Sequence, residues 1–145
     1  MPNLRSIAFA LIVLCLGVAV ACRSANSSSA DSSDKSTLAP RTENLTADQF
    51  EQQLQQPNAL LLDVRTPDEY AQGHLRGATL VDIEAADFDQ KIAALDRNKT
   101  IMVYCATGGR SSDAVERLQK AGFGKIQNLT QGYDDWTAKG KTIEK

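Results

Sequence analysis

From Thr46 onward, short apolar runs alternate with segments whose apolar residues recur at helical spacing. Ala59-Leu-Leu-Leu-Asp-Val64 and Thr100-Ile-Met-Val-Tyr104 are continuous and bounded by turn residues, the pattern of strands buried on both faces. A brief strand around Ala78–Val81 and a last one near Lys125–Asn128 complete the set. The segments between them carry helix signals. Thr46-Ala-Asp-Gln49 and Thr66-Pro-Asp-Glu69 read as capping boxes, the second with proline at the first helical position. They predict helices running to about Gln55 and to Gln72, closed by Pro57-Asn58 and by Gly73. Phe88, Ile92 and Leu95 share one face of a helix over 87–95; Ala114, Val115, Leu118 and Ala121 share a face over 111–121, which closes at Gly122. Gly132 leads into a final helix around Asp134–Lys139. Strands alternating with helices predict an α/β fold with a mainly parallel central sheet and helices on both faces.

The first residues follow a different pattern. Arg5 precedes an uncharged, mostly apolar run from Ile7 to Val20, then Ala21-Cys22: a short positive region, an apolar region and a small-residue cleavage site. Fourteen helical residues would span roughly 21 Å, short of the roughly 30 Å hydrocarbon core, so a cleaved export signal over 1–21 is expected rather than a permanent span. Ala19-Val20-Ala21-Cys22 resembles a bacterial lipoprotein signal, which implies lipidation at Cys22 and anchoring to a membrane of the cell envelope, facing out of the cytoplasm. It departs from the common pattern at Ala19, where leucine is usual. The Ser-rich stretch that follows has too little apolar surface to bury. A flexible linker is expected over 22–43, with one folded domain over 44–145.

Charge narrows the partners. The chain has 16 basic and 18 acidic residues, net -2; without Arg5 the balance is near -3. No basic stripe recommends nucleic acid. Of three cysteines, Cys15 would be cleaved away and Cys22 acylated, which leaves Cys105 as the expected sole free thiol and no internal disulfide. An unpaired cysteine in an exported protein is a candidate reactive group.

Cys105 directly follows a predicted buried strand and precedes a helix, where ligands bind in open α/β sheets. The intervening Ala106-Thr107-Gly108-Gly109 can turn amides inward, and the helix N-terminus adds unpaired N–H groups. Amides around a sulfur make an anion site, suited to a thiolate, a persulfide or a bound oxyanion. Arg110 closes the loop with a permanent cation and Ser111 begins the helix. Spacing leaves open whether the Arg110 guanidinium faces the pocket or pairs with an acid elsewhere.

Four blocks between Leu60 and Gly140 resemble the rhodanese family: Leu61-Leu-Asp-Val-Arg65 with Glu69-Tyr70; Gly73-His-Leu-Arg-Gly-Ala78; Val103-Tyr-Cys-Ala-Thr-Gly-Gly-Arg-Ser111; and Leu129-Thr-Gln-Gly-Tyr-Asp-Asp-Trp136. Leu75 and Gln131 depart from the family pattern. The resemblance implies a rhodanese-like fold and a sulfurtransferase. Cys105 would take a sulfane sulfur from a small donor such as thiosulfate and pass it, as a persulfide, to a thiol or to cyanide. It implies no cofactor and no metal, and a monomer is expected.

Two other readings remain. One is a rhodanese-like module that only binds partners, which commonly lacks the cysteine retained here. The other is a cysteine phosphatase, whose loop places five residues between Cys and Arg against the four found here. His74, the only histidine, reads as structural. Asp63 and Arg65 read as supports that brace neighbouring loops. Trp136 reads as core, and Asp134-Asp135 as a helix start rather than a metal site.

Overall fold

The computed structural model describes residues 41–145. The expected export signal over 1–21, the expected lipidation site Cys22 and residues 22–40 of the expected linker lie outside the described residues. Five strands hydrogen-bond in one wholly parallel sheet: β1 Arg41–Leu45, β2 Ala59–Asp63, β4 Thr79–Leu80, β5 Thr100–Tyr104 and β6 Lys125–Leu129, in the order β1-β6-β5-β2-β4. A two-stranded antiparallel ladder joins β3 His74–Leu75 to β7 Ile143–Glu144. The helices are α1 Ala47–Gln53, α2 Pro67–Gln72, α3 Phe88–Ala93, α4 Gly109–Lys120 and α5 Gly132–Ala138.

Alternation along the central strands divides the core between the two faces. Leu62, Ile101, Val103 and Ile126 point to one side, where they pack with Phe88 and Ile92 of α3 and Ala114, Val115 and Leu118 of α4. Leu61, Met102, Tyr104 and Leu129 point to the other, against Ala47 and Phe50 of α1 and Trp136 of α5. Cys105 continues the alternation of β5 and falls on the α4 side. Both capping boxes form: the Thr46 and Thr66 hydroxyls accept from the amides of Gln49 and Glu69, and the threonine backbone amides donate in return to the Gln49 and Glu69 side chains.

The strand β1 was not expected, and the linker boundary at residue 43 falls inside it. Arg41-Thr-Glu-Asn-Leu45 has no apolar alternation to betray a strand. It is held by its full-length backbone ladder to β6 and by polar side-chain pairs: Gln127 Nε2 donates to Glu43 Oε2 at 2.9 Å, and Asn128 Nδ2 to Asn44 Oδ1 at 3.1 Å. The two-residue strands β3 and β7 are too short to carry a period. Helix α4 starts at Gly109 rather than Ser111, because Gly108 takes the left-handed N-cap conformation, φ +98°, and brings Gly109 and Arg110 into the first turn.

Candidate active site

The loop after β5 reaches α4 in four residues, 105–108, and its geometry depends on two backbone approaches that only glycine permits. A Cβ on Gly108 would lie 1.9 Å from the Thr130 carbonyl oxygen; one on Gly132, φ +66°, would lie 2.3 Å from the Ala106 carbonyl oxygen. The loops 105–108 and 130–132 therefore pack backbone against backbone. The first amides of α5 complete the join. Tyr133 N donates to the Cys105 carbonyl at 2.8 Å and Asp134 N to that of Ala106 at 3.0 Å. The loop carbonyls are thus satisfied by the helix start.

Cys105 is 1% exposed and is a free cysteine. Gly108 N donates to its Sγ at 3.0 Å, and the thiol lies 3.6 Å from Ser111 Oγ, which itself donates to the Gly108 carbonyl at 3.1 Å. Among the described residues, one loop amide rather than a ring of them reaches the sulfur. Ala106 is half-buried, Thr107 and Gly109 are exposed, and Ser111 is buried.

Arg110 pairs with an acid. Its Nη1 and Nη2 donate to Glu69 Oε2 and Oε1 at 2.8 and 2.7 Å, a two-pronged contact, and Glu84 Oε1 lies 3.9 Å from Nη1. Glu69 is held from behind by its cap, Oε2 accepting from both Thr66 N and Thr66 Oγ1 at 3.0 Å. The hydrogen bonds from Arg110 pull the Glu69 carboxyl down to about 2, and those to Glu69 raise Arg110 above its already high value. Both stay charged across the working pH range.

Asp63 and Arg65 brace the site through a buried network. Arg65 Nη2 donates to Asp63 Oδ2 at 2.6 Å and to the Gly73 carbonyl at 2.7 Å, and its guanidinium lies 4.0 Å from the Tyr133 ring centroid. Tyr104 Oη donates to Asp63 Oδ2 at 2.6 Å and accepts from Leu75 N at 3.0 Å. Burial, and then the Asp63 charge, push the Tyr104 phenol well above its usual range. This network ties β2, the turn at Gly73, β3 and α5 to the strand that bears Cys105. His74 stacks on Tyr70 at 3.7 Å, with Nδ1 3.1 Å from the Tyr70 carbonyl oxygen and Nε2 3.5 Å from Glu144 Oε1 on β7. Its contacts are structural.

Residues 46–139 match the model of the rhodanese-like domain. The chain belongs to the rhodanese-like family. Thiosulfate sulfurtransferase GlpE of Pseudomonas fluorescens is 35% identical over 86 residues, 59% of this chain and 76% of that one. A sulfurtransferase of Allochromatium vinosum is 30% identical over 86 residues, 59% and 78% of the two chains. Other curated relatives are longer: the chain spans 48% of one from Bacillus subtilis at 34% identity. The crystal structure of a rhodanese-related protein from Thermoplasma volcanium superposes with a TM-score of 0.63 at 27% identity, covering 70% of this chain and 97% of that one. The parallel sheet with helices on both faces is the rhodanese-like fold.

Sequence reasoning singled out the loop and the Asp63–Arg65 pair, but placed Glu69 only in its cap and in a family block, with no contact to Arg110, and gave Tyr104 and Tyr133 no role of their own. The signal for Glu69 was the capping box itself, which fixes the carboxylate on the first turn of α2 without saying what faces it.

Proposed function

We propose that this rhodanese-like domain is a sulfurtransferase with Cys105 as its nucleophile. The observation that carries the reading is the placement of Cys105: a buried free thiol at the carboxyl end of β5, with the Gly108 amide donating to Sγ at 3.0 Å. A donated N–H stabilises charge on sulfur whether it belongs to a thiolate or to a persulfide. In the first step the Cys105 thiolate attacks the outer sulfur of a donor such as thiosulfate. The new S–S bond forms as the donor's own S–S bond breaks, and the electron pair leaves on sulfite. In the second step a thiol or cyanide acceptor attacks the terminal sulfur and the pair returns to Cys105 as thiolate. This is covalent catalysis in two half-reactions. The names of the sulfurtransferase relatives support it.

The loop residues Ala106–Ser111 provide the cradle, and the Asp63–Arg65 network holds it. Thiocyanate formation from thiosulfate and cyanide tests the proposal. The protein is expected to turn over with ping-pong kinetics and Cys105→Ser to be inactive; equal rates in the two proteins would overturn it. Robust turnover of an aryl phosphate without sulfur transfer would favour the phosphatase alternative, and neither activity would leave a binding module.

We propose further that the chain is exported to the bacterial cell envelope and lipid-anchored through Cys22, on the strength of the leader pattern. Cys22→Ser should move the protein from the membrane fraction to the soluble one. Unchanged fractionation would reject the anchor.

A further inference from the structure

The cation that closes the Cys105 loop is already spent on a carboxylate. Both Arg110 amino groups engage both Glu69 oxygens at 2.7 and 2.8 Å, and Thr66 holds Glu69 from the other side through its backbone and hydroxyl. The carboxylate therefore cannot swing away without losing its cap. Glu84 adds a second negative charge 3.9 Å from the same guanidinium. Arg65, the other arginine braced against this end of the sheet, is committed to Asp63. The loops at the carboxyl ends of β2 and β4 otherwise contribute Asp82, whose Oδ1 accepts from Glu84 N at 2.9 Å. Two acids thus accompany Arg110 beside the loop, and a dianion approaching Cys105 meets no cation free of a partner among these groups.

We infer that Glu69 is a specificity-determining residue: by holding Arg110 in an ion pair it disfavours dianionic donors, so that the site draws its sulfur from a donor bearing at most one negative charge at its reactive end. The inference rests on the sulfurtransferase reading and names the donor class within it. Its physical basis is that a neutralised cation neither steers an anion nor stabilises it on arrival. An organic persulfide or thiosulfonate fits this class, and thiosulfate reacts at a disadvantage.

Thiosulfate and methanethiosulfonate make the test, because both leave the same Cys105 persulfide while carrying two charges and one. With thiosulfate the leaving group is sulfite; with methanethiosulfonate it is methanesulfinate, and in each case it takes the electron pair of the broken S–S bond. Glu69→Gln can keep the cap hydrogen bonds through its one carbonyl oxygen, while its NH2 group cannot accept from Arg110 Nη2, so the two-pronged pair is lost together with the charge. At low ionic strength kcat/KM for thiosulfate should rise about tenfold in Glu69→Gln, against a smaller rise for methanethiosulfonate. Adding Arg110→Gln to Glu69→Gln should erase the gain, whereas Arg110→Gln alone, which leaves the Glu69 carboxylate unpaired, should lower thiosulfate activity further relative to methanethiosulfonate. An unchanged donor ratio in Glu69→Gln, or a gain that persists when Arg110→Gln is added to it, would overturn the inference. Failure of the wild-type protein to form a persulfide with either donor would instead overturn the sulfurtransferase reading. Matching circular dichroism spectra and melting midpoints separate a charge effect from a folding effect.

Discussion

A methyl group on Gly108 would stand 1.9 Å from the Thr130 carbonyl oxygen, on a backbone with φ +98°. Both faults act on the loop that bears the sulfur. Gly108→Ala is expected to cost at least about 2 kcal/mol and to lose sulfur transfer even where the protein remains folded. A urea titration checks the first, and a persulfide assay on the folded fraction the second. The Glu69–Arg110 pair gives a pH signature. Because the folded Glu69 carboxyl titrates at about 2, below its ordinary 4.5, its contribution is fully present above about 4.5 and disappears as pH falls toward 2. The pair is about a third exposed, so screening limits that contribution to about 1 kcal/mol or less. The stability gap between wild type and Glu69→Gln, read by urea midpoints, should therefore close between pH 4.5 and 2. At this scale the sequence was legible wherever spacing carries meaning: Cys105 after an apolar run, two glycines before a helix, Asp63 and Arg65 at a strand end. It was silent where the partner comes from another element. Glu69 and Arg110 are 41 positions apart, and no local pattern joins them.

Helix α4 is the element on which the site depends. Its N-terminal turn carries Gly109, Arg110 and Ser111, and Ser111 heads the same buried stripe as Ala114, Val115 and Leu118, which pack against the sheet. Leu118 is fully buried, about two turns along α4 from Ser111. Leu118→Ala should cost about 2–5 kcal/mol through the cavity it leaves, while the folded fraction retains its sulfur-transfer rate. A denaturation curve and a per-active-site rate check both halves. The same amphipathic stripe made α4 readable from sequence, and the unbroken apolar runs did so for β2 and β5. Strand β1 was unreadable because its five residues, one of them apolar, are kept by their ladder to β6 and by amide and carboxylate partners rather than by burial. Such a strand carries a tertiary signal and no local one.

Across the described domain, chemistry and support occupy different layers. The carboxyl ends of β2, β4, β5 and β6 deliver the residues of the site to one edge of the sheet, as open parallel sheets do. Beneath that edge, two hydrophobic layers fix the strands, and the buried Asp63–Arg65–Tyr104 network locks the turn at Gly73 to β5. The four family blocks in the sequence correspond to parts of this edge: the end of β2 with α2, the turn into β3, the Cys105 loop, and the start of α5 that caps the loop carbonyls. That correspondence explains why the family was legible from short motifs scattered over the chain. The proposed chemistry puts the transferred sulfur on Cys105. Mass spectrometry of the protein after thiosulfate treatment tests it most directly: one added sulfur on the peptide containing Cys105, reversed by cyanide and missing in Cys105→Ser, is predicted. No added sulfur on that peptide, or the same addition in the variant, would contradict it.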